Sequence, residues 1–254
     1  MGTTAPPSRD YRQMNRNEAV LAATSEPRMA PYLIKAQGNM DRAISIYTWH
    51  LELSGALHEL LGVVEVAVRN AIDQQLQLWN PTMSQPNGVA YPREWTLNPA
   101  PAVKGALGKQ LKTAKSDALR AKGQRDHSHP RKGLKPTHDD ILSQITFGAW
   151  PHLLPSSQPK NQRRQLLWDK SLKRAFPLAE SGRNITAEKI VHDRIKRLAH
   201  LRNRVAHCEN LLDANIPARI TDAHKLLGYI NPAVRDFASS INRVTKVNSR
   251  RASY

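Results

Sequence analysis

The sequence has little of what stabilises small secreted proteins or membrane proteins. Cys208 is the only cysteine among 254 residues, so neither an internal disulfide nor a cysteine-based zinc site can form. No apolar run approaches the roughly 20 residues of a membrane-spanning helix, and the first residues lack the apolar stretch of a signal peptide. These absences predict a cytoplasmic protein with no membrane partner and with Cys208 buried as a small, inert side chain.

Aromatic residues are also scarce. They make up 6% of the chain against 40% for all hydrophobic residues, so aliphatic side chains must supply most of the core. The alternating, β-branched runs typical of strands are rare, whereas apolar residues recur at spacings of three and four. The pattern predicts an all-α fold, an antiparallel helical bundle.

Acidic residues are too few to balance the basic ones. The chain has 38 Lys and Arg against 21 Asp and Glu, a net charge of +17, and the excess lies in residues 103–136 and 160–204. Nucleic acid is the favoured partner, because phosphate contacts that release counterions give affinity without sequence specificity. An anionic membrane surface and an unusual surface with no ligand are the alternatives. The two basic zones would form two walls of one groove or two faces that meet in a dimer.

Helix and turn signals divide the chain into a flexible N-terminal segment at 1–24, a single helical domain at 25–247 and a polar tail at 248–254. Five prolines between 80 and 102 and a basic loop at 123–136 predict a Pro-rich and basic insertion over 80–136, with the loop ordered only by a ligand. The predicted helices are 25–36, 41–78, 102–122, 138 to beyond 145, 160–176, 187–207, 216–229 and 232–246.

The best candidate for chemistry is the segment LRNRVAH at 201–207, in which Arg202 precedes His207 by five positions. The spacing alone is a weak signal, since Arg219 and His224 repeat it. Asn203 and His207 share a helix face, whereas Arg202 is offset from His207 by about 140°. One helix alone therefore does not aim both groups at one atom, and a second copy of the helix would complete the site.

A second polar element interrupts an apolar helix at Glu65 and Arg69, within EVAVRNAI. The two side chains are one helical turn apart and can form an ion pair. This pair either fixes the register of the helix or belongs to the functional site.

Four segments in this order resemble the Abi-like abortive-infection proteins of the HEPN superfamily: EVAVRNAI, ITFGAW, LWDKSLKRAFP and LRNRVAH. The resemblance covers residues 28–215. It implies a HEPN-type helical bundle, usually a homodimer, with ribonuclease activity at an Arg-x4-His motif in the dimer cleft.

The resemblance and the charge pattern together predict the site residues. The catalytic residues implied by the motif are Arg202, Asn203 and His207. The supporting polar residues that match the earlier helix of the family are Glu65, Arg69 and Asn70. The basic residues expected to bind RNA are Lys196, Arg197, Arg204, Arg163, Arg164, Lys173 and Arg174. We predict no metal and no cofactor.

These residue types suit metal-independent cleavage of RNA. The 2′-hydroxyl is an internal nucleophile, a histidine can move its proton, and a guanidinium can hold the phosphate. We therefore expect a toxin or phage-defence endoribonuclease that leaves a 2′,3′-cyclic phosphate, with RNA, a second copy of the chain and an antitoxin or other defence protein as partners. The alternative is a non-catalytic RNA-binding or scaffold subunit of a defence complex.

Overall fold

The computed structural model describes residues 15–156 and 162–253, and regular structure within them is helical apart from isolated β-bridges. The helices are α1 (Arg16–Thr24), α2 (Glu26–Lys35), α3 (Met40–Trp79), α4 (Pro101–Gly123), α5 (His138–Leu142), α6 (Gln162–Lys170), α7 (Ala187–Ala206), α8 (Ile216–Ile230), α9 (Pro232–Ile241) and α10 (Val244–Ser249). Short 3₁₀ segments lie at Asn80–Thr82, Phe147–Leu153, Leu172–Ala175 and Arg250–Ser253. The prediction of an all-α fold is confirmed.

Prolines and short polar side chains set where the helices begin. Pro101 starts α4 at a position where the missing N–H costs nothing. The side chain of Asn215 accepts from the backbone N–H of Ala218 at 3.1 Å and caps α8. Thr137 and Asp140 form a reciprocal capping box at α5.

The longest element is α3, a single helix of 40 residues. Gly55 and Gly62 both lie inside it. The apolar stripe keeps the helix continuous, because its members at helical spacing are buried. They include Leu53, Leu57, Leu60, Leu61, Val64, Val68, Ile72 and Leu76.

By its internal contacts the chain divides into two compact units. The first unit comprises residues 1–57, 204–214 and 243–254, of which 1–14 and 254 lie outside the description. Its core includes Met29, Tyr32, Trp49 and Val247.

The second unit comprises residues 58–203 and 215–242. It holds α4 to α6, α8, α9 and most of α7. The largest fully buried side chains in its core are those of Trp95, Trp150, Phe147 and Phe176.

Some element boundaries differ from the sequence prediction. Helix α1 lies within the segment expected to be flexible, while residues 1–14 of that segment lie outside the described residues. The predicted helix 160–176 is α6 followed by a 3₁₀ turn, because Ser171 leaves helical geometry at φ −139° and ψ −71°. The predicted helix 232–246 is two helices, since Asn242 is extended at φ −70° and ψ 109°.

Candidate functional site

Arg202 lies near the end of α7 and pairs with the earlier helix. Its Nε donates to Oε2 of Glu65 on α3 at 3.1 Å, with the arginine side chain 35% exposed and the glutamate 19%. The terminal Nη groups of Arg202 have no partner among the residues that the structure describes. Glu65 therefore orients the guanidinium through Nε and leaves its forked end available for an oxyanion.

Two further polar residues of α3 stand beside this pair in sequence. The Nε of Arg69 lies 3.4 Å from Oδ1 of Asn70, and Asn70 is exposed. The sequence offered Glu65 and Arg69 as an ion pair, but the structure pairs Glu65 with Arg202, 137 residues away. The structure thus brings Glu65 and Arg202 together, while Arg69 contacts its own neighbour.

His207 is the first residue after α7, at the point where the helix ends. The N–H of Cys208 donates to the carbonyl of Val205 at 3.1 Å and that of Glu209 to the carbonyl of Arg204 at 2.8 Å. These two bonds form a Schellman motif, with Cys208 at the left-handed position, φ 52°. The expectation that the helix reaches His207 was therefore one residue too long, and the imidazole is exposed at the helix terminus.

The only thiol of the chain adjoins this histidine. Cys208 is exposed, so the expectation that it is buried was wrong. Asn203, one turn earlier on α7, is exposed as well.

The basic residues predicted to bind RNA differ in exposure and in whether they form ion pairs within the protein. Those that are exposed without an ion pair among the described residues are Arg163, Lys173, Arg174 and Lys196. Arg164 is half-buried, and Arg204 is 17% exposed with its guanidinium bound to the carbonyl of Asn210 and the carboxylate of Asp213. The guanidinium of Arg204 therefore serves the loop after α7 rather than the surface.

Arg197 belongs to a cluster around one buried carboxylate. Asp222 on α8 accepts from Nε and Nη2 of Arg197 at 2.8 and 2.9 Å, from Arg194, and from Arg219 at 3.2 Å. Burial acts to raise the pKa of Asp222, but the hydrogen bonds and charges of these arginines outweigh it and lower the pKa. Three guanidinium groups around one carboxylate leave local positive charge, which favours anions at this face.

The two basic zones of the sequence adjoin at α4 and α6, which pack together. Nη1 of Arg163 lies 4.0 Å from the point that a Cβ on Gly105 would occupy. The loop at 123–136 contributes less charge than its sequence indicates, because Arg125 and Arg131 pair with Asp140 at 2.8 and 2.6 Å. These bonds hold the loop without a ligand, in contrast to its predicted disorder.

The family described as Abi-like protein matches residues 25–213. The chain belongs to the Abi-like family. This membership indicates a role in abortive infection or defence. No curated protein and no solved structure matches the chain.

The Abi-like chain also contains a buried polar network that the sequence did not reveal. Nε2 of His138 lies 2.8 Å from Oδ1 of Asp73, and Nδ1 lies 2.8 Å from the hydroxyl of Thr96. Trp95 Nε1 donates to the same Asp73 oxygen at 2.7 Å, and Gln77 donates to the other. The residue types suit catalysis, but Thr96 is fully buried, so no substrate reaches it. The network joins α3, the Pro-rich segment and α5. In the sequence it shows only as a histidine directly after a helix cap, a pattern too common to predict such a network.

One open groove of about 560 Å³ lies in the second unit. Leu78, Trp79 and Leu166 make its wall mostly apolar, and Lys170 and Arg174 add positive charge to it. Arg174 is one of the residues predicted to bind RNA.

Among the residues that the structure describes, no group of three or more His, Cys, Asp or Glu side chains is placed to hold a metal ion. None of the described helices has the length and apolarity to cross a membrane.

Proposed function

We propose that this Abi-like protein is a metal-independent endoribonuclease that acts in abortive infection, with Arg202 and His207 as its catalytic residues. The observation that carries the proposal is the state of Arg202, whose Nε is held by Glu65 while its Nη groups stay available, followed five positions later by the exposed His207. The net charge of +17 and the resemblance to HEPN ribonucleases support it.

The chemistry uses the substrate's own nucleophile. His207 removes the proton from the 2′-hydroxyl, the oxygen attacks the adjacent phosphorus, and the bond to the 5′ oxygen breaks. Arg202 binds the non-bridging oxygens through Nη and stabilises the added negative charge, and Asn203 binds the same phosphate. The products are a 2′,3′-cyclic phosphate and a 5′-hydroxyl, and DNA is resistant because it has no 2′-hydroxyl.

The leaving 5′ oxygen needs a proton as well. One chain supplies a single His207, so a homodimer with two copies in one cleft provides one histidine as base and the other as acid. Arg163, Lys173, Arg174 and Lys196, which are exposed and form no ion pair among the described residues, attract the RNA. Arg204 is left out of this role because it is largely buried and its guanidinium binds the carboxylate of Asp213 and the carbonyl of Asn210.

The test is cleavage of cellular RNA in EDTA by the wild type, His207→Ala and Arg202→Ala. We expect both substitutions to lower the rate by about 10²–10⁴-fold, the usual contribution of such groups, with cyclic-phosphate ends from the wild type only. His200→Ala, which removes an exposed histidine from the same helix, is the matched control and should cleave like the wild type. Undiminished cleavage by His207→Ala would overturn the proposal.

The second candidate is a non-catalytic RNA-binding or scaffold subunit, which the free cations favour on their own. Salt-sensitive RNA binding without cleavage by the wild type would support it. In that case Lys173→Ala and Arg174→Ala should weaken binding, whereas His207→Ala should leave it unchanged.

A further inference from the structure

The loop that follows α7 is bound through its backbone by arginines from three parts of the first unit. We call residues 207–213 the motif loop. Nη1 of Arg28 donates to the carbonyl of Cys208 at 2.6 Å, and Nη2 of Arg251 to the carbonyl of Leu212 at 2.6 Å. Arg204 donates to the carbonyl of Asn210 between them. Donors on α2, on α7 and in the C-terminal 3₁₀ turn thus hold alternate carbonyls of one short loop.

The C-terminal end of this arrangement is anchored in turn. The guanidinium of Arg251 lies 5.3 Å from the ring centre of Trp49, a cation–π distance. Trp49 is fully buried, and its Nε1 donates to the carbonyl of Val247 on α10 at 3.1 Å. Arg251 and α10 therefore both contact Trp49 of α3, and the guanidinium of Arg251 reaches the loop from this contact.

The motif loop needs such support because its first turn is strained. Cys208 has φ 52°, a conformation that glycine adopts freely and other residues adopt at a cost. Strained backbone persists only where surrounding contacts hold it. Arg28 binds the carbonyl of this same residue, directly after His207.

We propose that Arg28, Arg204 and Arg251 are positioning residues, which fix the imidazole of His207 by binding the carbonyls of the motif loop. The inference rests on the proposed function of His207, but the arrangement of the loop can be measured without it. None of the three arginines touches substrate in this role. They act through the backbone that carries His207, so their loss should change turnover more than affinity.

The neighbouring residue provides a matched control. Arg250 lies on the same turn as Arg251 and carries the same charge, but it pairs with Glu52 at 2.6 Å instead of the motif loop. Arg250→Gln and Arg251→Gln therefore remove equal charge, and only the second releases a loop carbonyl. Arg28→Gln repeats the test from the other end of the loop.

The experiment compares the full chains in three measurements: kcat and KM for RNA, amide hydrogen exchange of residues 208–213, and the ¹⁵N NMR signal of the His207 ring. For Arg251→Gln and Arg28→Gln we expect kcat to fall on the order of tenfold with KM nearly unchanged, as for a misplaced catalytic group. Exchange in the loop should accelerate and the His207 signal should shift or broaden. Arg250→Gln should match the wild type in all three.

The outcomes separate this inference from the proposed function. If the wild type cleaves RNA and Arg251→Gln cleaves as Arg250→Gln does, the positioning role is wrong while the activity stands. If the wild type does not cleave, the proposed function fails, and loop exchange and the His207 signal decide the inference alone. An unchanged loop and an unchanged His207 signal in Arg251→Gln and Arg28→Gln would overturn it in either case.

Discussion

Two buried histidines, one in each unit, are accommodated in opposite ways. In the second unit both ring nitrogens of His138 have polar partners, Asp73 and Thr96, at 2.8 Å. In the first unit His50 is fully buried, and neither ring nitrogen has a hydrogen-bond partner among the described residues. Its neighbours are the rings of Tyr32 and Tyr47, at 5.6 and 6.1 Å between centres. One histidine is held by polar contacts and the other by packing.

The difference sets how each region responds to acid. Burial, together with the charges of Arg28 and Arg204, lowers the pKa of His50 to about 4. Burial acts to raise the pKa of Asp73, but hydrogen bonds from His138, Trp95 and Gln77 outweigh it and lower the pKa. Protonation of His50, which has no hydrogen-bond partner, therefore destabilises the fold in mild acid. The hydrogen bonds of the network keep Asp73 ionised to a lower pH.

The largest expected effect is the loss of the network in the second unit. His138→Ala removes the partner of Asp73 and of Thr96 and leaves a buried carboxylate and hydroxyl less satisfied, at a cost of about 3–4 kcal/mol in the free energy of unfolding. Urea denaturation at pH 7 measures it. His127→Ala, in an exposed loop, is the control with no expected change. Equal stability of the two variants would mean that the network contributes nothing.

The next effect is a loss of stability in mild acid that originates in the first unit. The unfolded chain binds a proton at His50 near pH 6.5, whereas the folded chain does so only near pH 4. Stability is therefore complete above pH 6.5 and falls as the pH drops to about 4, by about 3 kcal/mol in total. The pKa of Asp73 lies below its ordinary value of 3.8, so the stability that this carboxylate contributes is present above that pH and is lost as the pH falls further.

His50→Leu isolates this effect, because a leucine at position 50 cannot titrate and its apolar side chain suits the buried position. Urea denaturation from pH 7 to pH 4.5 should show a shallower loss than in the wild type. His152 and His224 also have lowered pKa values through burial, so the difference between the two proteins is the informative quantity. The same slope in both proteins would assign the acid sensitivity to those other histidines.

The smallest effect concerns the strained turn. Cys208→Gly should raise the free energy of unfolding by about 0.5–1 kcal/mol, because glycine adopts the left-handed conformation without strain and loses part of this gain through its freer unfolded state. Thermal unfolding measures it, with Cys208→Ala as the control that keeps the strain. Stabilisation by alanine as large as that by glycine would show that the backbone at 208 is relaxed.

Helices with a strong local signal were predictable, and those without one were not. The apolar stripe of α3 and the prolines and caps of α4 and α8 carry their own start and stop signals, and the structure confirms them within a residue or two. Helix α1 has no buried residue, so the sequence has no apolar periodicity there that would predict a helix. Ser171 and Asn242 break helices without glycine or proline, which only the surrounding structure dictates.

The candidate site shows the same division between local and distant contacts. The order of the motifs led to Arg202 and His207, but helical spacing suggested Arg69 as the partner of Glu65, because a rule for neighbours on one helix cannot identify a residue 137 positions away. The end of α7 was placed one residue too far because Cys208 occupies the position where glycine is the usual signal. Arg204 was predicted to contact RNA because its bonds to Asn210 and Asp213 form only in the folded chain and have no signal in the sequence.

The exposure of Cys208 has a practical consequence. It is the only thiol in the chain and it directly follows His207. A maleimide dye or nitroxide added to the unmutated protein therefore attaches at one defined place beside the motif. Fluorescence anisotropy or spin-label mobility at that place reports the arrival of RNA or of a second chain without any engineered cysteine.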